Sequence, residues 1–103
     1  MRIAACAALA LAAGCGAGPA RPATHHADIR AFRFQPDTVT AAPGDTVVWT
    51  NHDVVPHTAT LRGAWDTGGI AANESGRVVA GAAGTYAYVC AYHPNMQAVL
   101  VVR

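Results

Sequence analysis

The sequence has three cysteines, and only Cys90 lies beyond the first fifteen residues. A chain with one cysteine in its body can close no disulfide there, so a small domain needs another source of stability. Lysine is missing altogether: the seven basic residues are all arginine, the acidic residues number six, and the formal net charge is +1. No basic run or stripe forms, which argues against a nucleic-acid partner. The carboxylates are equally dispersed. Asp53, Asp66 and Glu74 stand apart along the chain and give no paired signal for acid–base chemistry. There is no internal repeat, and after residue 27 no segment has a helical period of useful length, although residues 70–75 could carry one turn.

What is present begins with an export signal. Met1 and Arg2 form a short positive start, residues 3–13 are apolar throughout, and the small residues Gly14, Cys15, Gly16 and Ala17 follow. The apolar run is too short for a permanent bilayer span and has no polar face for a surface helix, so it reads as a secretory signal. The run L-A-A-G-C over residues 11–15 resembles a bacterial lipobox, in which the cysteine is lipidated and becomes the first mature residue. Ala12 departs from the commoner leucine, and ordinary cleavage near Ala17 or Ala20 stays open. The expected organisation is a signal peptide over 1–15 with Cys15 as lipidated residue, a flexible tether over 16–26 rich in Gly, Pro and Ala, and a folded domain over 27–103. The protein is then exported to the periplasm or cell surface, with a membrane tether through Cys15 in the lipoprotein case.

The folded part reads as strands. Residues 29–34 (I-R-A-F-R-F) suggest a first strand, ended by Pro36 and Asp37, and 38–41 a short second one before the Pro43-Gly44-Asp45 turn signal. Residues 46–51 (T-V-V-W-T-N) are β-branched and aromatic, 57–61 look extended, 64–67 suit a short edge strand, and 76–80 another. The clearest strand, 85–90, alternates with Tyr86, Tyr88 and Cys90 on one side and Ala87 and Val89 on the other. Residues 97–103 close the chain. About seven or eight short strands with Gly/Pro turns predict an all-β, Greek-key sandwich. Trp49 and Trp65 read as core or edge aromatics. A domain of this size buries only about 60–65% of its unfolded surface, and a metal would supply both a staple and a use for the lone thiol.

The chemistry concentrates in residues 90–96, C-A-Y-H-P-N-M. One loop leaving a strand presents a thiolate, an imidazole and a thioether at C-x2-H-x2-M spacing. Taken singly, Cys90 could be an ordinary core thiol, His93 a surface histidine and Met96 core filler; their spacing in one turn-bearing loop favours a site. Soft sulfur beside imidazole selects copper over magnesium, calcium or manganese, and two histidines with a cysteine and a weak axial methionine make an electron-transfer copper geometry. The second histidine has to come from elsewhere, and His57, just after the polar loop 51–56, is available. His52 reads as a turn residue, and His25 and His26 as solvated linker.

The chain resembles the small cupredoxins, the plastocyanin/azurin family, and among them the amicyanin-like members with short ligand loops. The resemblance is carried by Phe34-Gln35-Pro36, by P-G-D-T-V-V-W-T-N over residues 43–51, by Pro56-His57-Thr58, and by G-T-Y-A-Y-V-C-A-Y-H-P-N-M over residues 84–96. It implies one copper ion, cycling between Cu(I) and Cu(II), with His57, Cys90 and His93 as equatorial ligands and Met96 as axial ligand. It also implies that the Thr58 backbone amide donates to the Cys90 sulfur, which would tune the potential. Thr58 stands where many members have asparagine, and Ala98 where glycine is common. The interval from His57 to Cys90 is short for the family, so a helix or flap of larger members is expected to be missing.

The function so implied is one-electron transfer between redox protein partners that dock near His93, by a monomer, without enzymatic turnover. A copper binding and delivery protein using the same four residues is the alternative. A copper oxidase or reductase is disfavoured because it needs an open coordination position and a substrate pocket. Zinc is disfavoured because methionine suits it poorly.

Overall fold

The computed structural model describes residues 21–103; the expected signal, Cys15 and the first part of the tether lie outside the described residues. The described chain contains no helix and nine strands: β1 (Thr24–Arg30), β2 (Arg33–Gln35), β3 (Thr38–Ala41), β4 (Thr46–Asn51), β5 (Thr60–Leu61), β6 (Trp65–Asp66), β7 (Ser75–Val79), β8 (Gly84–Val89) and β9 (Gln97–Val102). They form two sheets, ordered β2-β1-β4-β7 and β3-β9-β8-β5-β6. β1 runs parallel to β4 and β3 parallel to β9, and the other pairs are antiparallel. The chain passes repeatedly from one sheet to the other, giving the expected all-β sandwich.

Alternation in the strands builds the core. β1 buries Ala27 and Ile29 while His26, Asp28 and Arg30 face outward. β4 contributes Val47 and Trp49, β8 contributes Tyr88, and β9 contributes Ala98, Leu100 and Val102. At the centre the Trp49 indole N–H donates to the Tyr88 hydroxyl at 3.1 Å. Trp65 stacks on Trp49 with centroids 5.9 Å apart, and Phe34 meets Tyr88 edge-on at 4.9 Å. Both tryptophans are therefore core and edge aromatics. Burial pushes the Tyr88 hydroxyl up to about 12, against the opposing pull of the Trp49 N–H.

Four local features differ from the sequence pattern. Residues 29–34 are not one strand: Arg30 pairs with Arg33, which leaves Ala31 and Phe32 as a two-residue hairpin loop. Their φ values are 54° and 59°, as a type I′ loop requires. Such loops are announced by Asn-Gly, whereas Ala-Phe reads as strand, and the left-handed conformation costs a non-glycine residue about 1–2 kcal/mol. Residues 57–61 are strand only at Thr60 and Leu61, because His57 leaves the sheet to form an isolated bridge with Ile70. Residues 70–75 hold a turn, with Asn73 at φ 64° and the Glu74 N–H bonded to the Ala71 carbonyl at 3.0 Å, and no helix. Finally, β1 opens at Thr24, so His25 and His26 sit in a strand and not in a linker.

The start of β1 is fastened by Asp45 in the turn before β4. Its carboxylate accepts the Ala23 N–H at 2.9 Å, the Ala42 N–H at 2.9 Å and the His25 Nε2–H at 2.8 Å. The Ala23 amide, His25 and the Ala42 amide hold the Asp45 carboxyl down at about 2, against its ordinary 3.8. A carboxyl depressed in the folded state stabilises the fold above its unfolded pKa, and that contribution disappears as pH falls through the folded value. The thermal midpoint of the wild type should therefore drop as pH falls from 3.8 to about 2. Asp45→Asn should start lower and show a shallower drop in that window, as followed by circular dichroism melts.

Candidate metal centre

Cys90 follows the last residue of β8, and the loop behind it is closed by its own backbone. The His93 N–H donates to the Cys90 carbonyl at 3.2 Å, the Met96 N–H to the His93 carbonyl at 2.8 Å, and the Cys90 N–H to the Met96 carbonyl at 3.1 Å. These bonds bend residues 90–96 tightly enough to bring the His93 Nδ1 to 3.7 Å from the Cys90 Sγ. Met96 ends the loop, buried with 4% exposure, and belongs to the same apolar cluster as Cys90.

His57 arrives from the other sheet's connection. Its N–H donates to the Ile70 carbonyl at 3.1 Å, and its carbonyl accepts the Ile70 N–H at 2.7 Å. The buried Asn51 side chain ties the preceding loop by donating to the Val55 and Ile70 carbonyls at 2.8 and 2.9 Å. Fixed in this way, His57 is fully buried and places its Nδ1 3.8 Å from the Cys90 Sγ. Its Nε2–H donates to the Asp53 carboxylate at 2.9 Å. That bond selects the tautomer whose Nδ1 lone pair faces the thiol, a common arrangement for metal-binding histidine.

Two further bonds join the loops. The Thr58 N–H donates to the Cys90 Sγ at 3.3 Å. The Ala91 N–H donates to the Thr58 hydroxyl at 2.7 Å. The Thr60 hydroxyl donates to Asp66 at 3.1 Å, so its oxygen is free to accept the Thr58 hydroxyl proton across 2.8 Å. A hydroxyl relay ending on a carboxylate thus ties the loops at the position where the side chain departs from the family's asparagine.

The ligand atoms of His57, Cys90 and His93 all lie within 4.8 Å of one another. A zinc-sized ion bonded at zinc's distances, roughly 2.3 Å to sulfur and 2.0–2.1 Å to nitrogen, with 120° between bonds, holds sulfur and nitrogen about 3.7–3.8 Å apart. The two sulfur–nitrogen distances therefore fit such an ion. One thiolate and two imidazoles, in a buried site with an N–H aimed at the sulfur, are a donor set suited to copper.

His52 is not part of the cluster; its Nε2 bonds Asp28 at 2.7 Å. His25 is taken up by Asp45, and His26 is exposed on β1. Asp53 was silent in the sequence, where it looked like one isolated carboxylate. The usable signal was its place in the loop just before His57, since a ligating imidazole commonly donates its other N–H to a carboxylate. Burial pushes the Asp53 carboxyl up, but the N–H bonds from Phe32 and Ala31 and the bond from His57 outweigh it, and the net effect is downward.

The fold and this cluster define a cupredoxin. The profile of the cupredoxin-like domain matches residues 2–102, and the chain belongs to that family. Within it, the chain is 32% identical over 81 residues to amicyanin-alpha of Methylorubrum extorquens strain AM1, a match covering 73% of this chain and 68% of that protein. Its fold is similar to that of a proline-to-glycine variant of amicyanin in the reduced Cu(I) form at pH 4, with a TM-score of 0.71 and 26% identity over 84% of this chain and 88% of the other. It is also similar to a reduced tryptophan-to-tyrosine variant of amicyanin, with a TM-score of 0.73 and 25% identity over the same shares, 84% and 88%.

The hydroxyl relay gives a direct test of how the loops are held. Thr58→Val keeps the shape but leaves the part-buried Ala91 N–H without its acceptor, and should cost about 0.5–1.5 kcal/mol. Thr58→Ser should recover most of that loss in urea unfolding of the metal-free protein.

Proposed function

We propose that the protein is a blue-copper electron carrier that holds one copper ion through His57, Cys90 and His93, with Met96 as axial ligand. The observation that carries this reading is the convergence of one sulfur and two Nδ1 atoms at 3.7 and 3.8 Å in a site already braced by the protein. Copper, when bound, cycles between Cu(I) and Cu(II) and so accepts and releases one electron.

The chain's part is to keep the ligands still. Asp53 fixes the ring of His57, the loop bonds fix His93, and the two bonds from Thr58 and Ala91 hold the loops in register. Little has to move when the charge at the site changes, and a small rearrangement favours fast transfer. The Thr58 N–H draws negative charge from the Cys90 sulfur and so favours the reduced state. His93 is the half-buried ligand, and Phe32, with its ring centroid 5.0 Å from that of His93, and the neighbouring Tyr92 are exposed at 49% and 55%. A small apolar patch around His93 suits weak, brief docking of redox protein partners. With His57 and Cys90 at 0% exposure and Met96 at 4%, an acceptor has little to grasp, which favours carrying electrons over delivering the ion. The signal-like start supports an activity outside the cytoplasm, periplasmic or at the cell surface, and its lipobox-like end offers Cys15 as the site of a lipid tether.

Adding Cu(II) to the reduced metal-free protein should produce an intense visible thiolate-to-copper band that ascorbate bleaches. Cys90→Ser should abolish it, while Met96→Ala should keep it and change the reduction potential. A colourless wild type, or a band that survives Cys90→Ser, sinks the proposal.

A further inference from the structure

Phe32 occupies an unusual place. It is 49% exposed at the tip of the β1–β2 hairpin. Its ring centroid nevertheless lies 5.0 Å from that of His57 and 5.0 Å from that of His93, at interplanar angles of 85° and 83°. The two imidazoles are themselves 5.1 Å apart, so one aromatic ring spans both. A groove of about 400 Å³ runs along Phe32 and its following residues on one side and Asn95, Met96 and Gln97 on the other. Phe32 thus lines an open groove and also packs edge-on against the two histidines.

The hairpin holds this ring at a cost. Its twist calls for positive φ at both loop residues, which Asn-Gly would adopt with little strain; Ala31 and Phe32 adopt it with side chains that resist it. Such strain persists only where surrounding structure over-determines it. Here that structure is Asp53, whose Oδ1 accepts the Ala31 N–H at 2.7 Å and whose Oδ2 accepts the Phe32 N–H at 2.9 Å. The same Oδ2 accepts the His57 Nε2–H at 2.9 Å. Asp53 is held in turn by its own N–H, bonded to the Asn51 side-chain oxygen at 2.8 Å. One carboxylate therefore latches the loop that carries the ring to the histidine that the ring covers.

We propose that Phe32 is a gate over the metal site, latched shut by Asp53, which sets how fast an ion enters and leaves and keeps small external ligands away from it. The inference rests on the reading that His57, Cys90 and His93 hold copper. It adds a positioning role for Asp53 and assigns Phe32 a function separate from ligation. Because Phe32 contacts the ligand rings without supplying a ligand atom, its removal changes passage and leaves the ligand set intact.

The test mixes Cu(II) with metal-free protein in stopped flow, following the thiolate-to-copper band, and then removes copper with excess EDTA. Phe32→Ala and Phe32→Gly should each raise the uptake and loss rates by tenfold or more and by similar factors, leaving the dissociation constant within about threefold. Phe32→Gly also relieves the strained backbone, so its folding is not in question. Phe32→Tyr should match the wild type, as should Val54→Ala, a control on an exposed apolar side chain. Azide added to the copper-loaded protein should perturb the band in the two opened variants at concentrations that leave the wild type unchanged. Asp53→Asn, which has one acceptor oxygen for three donors, should speed both rates and also weaken binding. A band with unchanged rates in both Phe32 variants overturns the gate alone, as does a rise in the loss rate without a rise in uptake. No band in the wild type overturns the copper reading, and the gate with it.

Discussion

The bond from the Thr58 amide to the Cys90 sulfur, at 3.3 Å, joins two segments that the chain separates by 32 residues. Everything at the site depends on this crossing. Thr58 follows His57, so holding it against Cys90 also places the His57 ring, and the Ala91 N–H on the Thr58 hydroxyl closes the second side of the junction. The sandwich makes the crossing possible. The connection after β4 carries His57 and the end of β8 carries Cys90, and the buried core beneath them fixes how far apart those segments can lie. Bonds from peptide N–H groups to sulfur are individually modest. Their value here is geometric, because they fix a donor set that would otherwise have two mobile loops to order.

Around that junction the protein spends polar groups in an apolar interior, and each is accounted for. Asn51 is fully buried, and its side chain donates two bonds and accepts one. Thr58 and Thr60 are nearly as buried and pass their hydroxyl protons toward Asp66. Asp53 takes three donors on two oxygens. Networks so fully satisfied rigidify the structure they sit in, whereas a half-satisfied one would be costly. The far end of the sheet follows the same logic on a smaller scale, with Asp45 collecting Ala23, Ala42 and His25.

Much of this was legible in the sequence, and the parts that were not have physical reasons. Alternation in β8 and β9 and the turn residues between strands exposed the all-β architecture, since both are local. The lone thiol at Cys90 with His93 three residues on exposed one half of the cluster for the same reason, and His57 followed from what that half lacked. The hairpin at Ala31 and Phe32 was invisible because its left-handed residues are enforced by a carboxylate 21 and 22 positions away. Asp53 looked isolated because two of its three donors, the Ala31 and Phe32 N–H groups, come from a distant hairpin, and Asp66 because a local bond to Thr60 leaves no pattern in residue type. His25 looked like linker because nothing near it in sequence hints at Asp45, 20 residues on. Local patterns reveal strands and ligand loops, while the bonds that join one loop to another, Thr58 to Cys90 and Ala91 and the hairpin to Asp53, are long-range.

The central claim is that the protein presents a pre-shaped set of one sulfur and two nitrogens to copper. X-ray absorption at the copper edge, recorded on the loaded protein in both oxidation states, tests it most directly. The account predicts one short copper–sulfur bond and two copper–nitrogen bonds, with distances that barely change on reduction. A first shell of oxygen and nitrogen without the short sulfur, or one rebuilt when the copper is reduced, would contradict it.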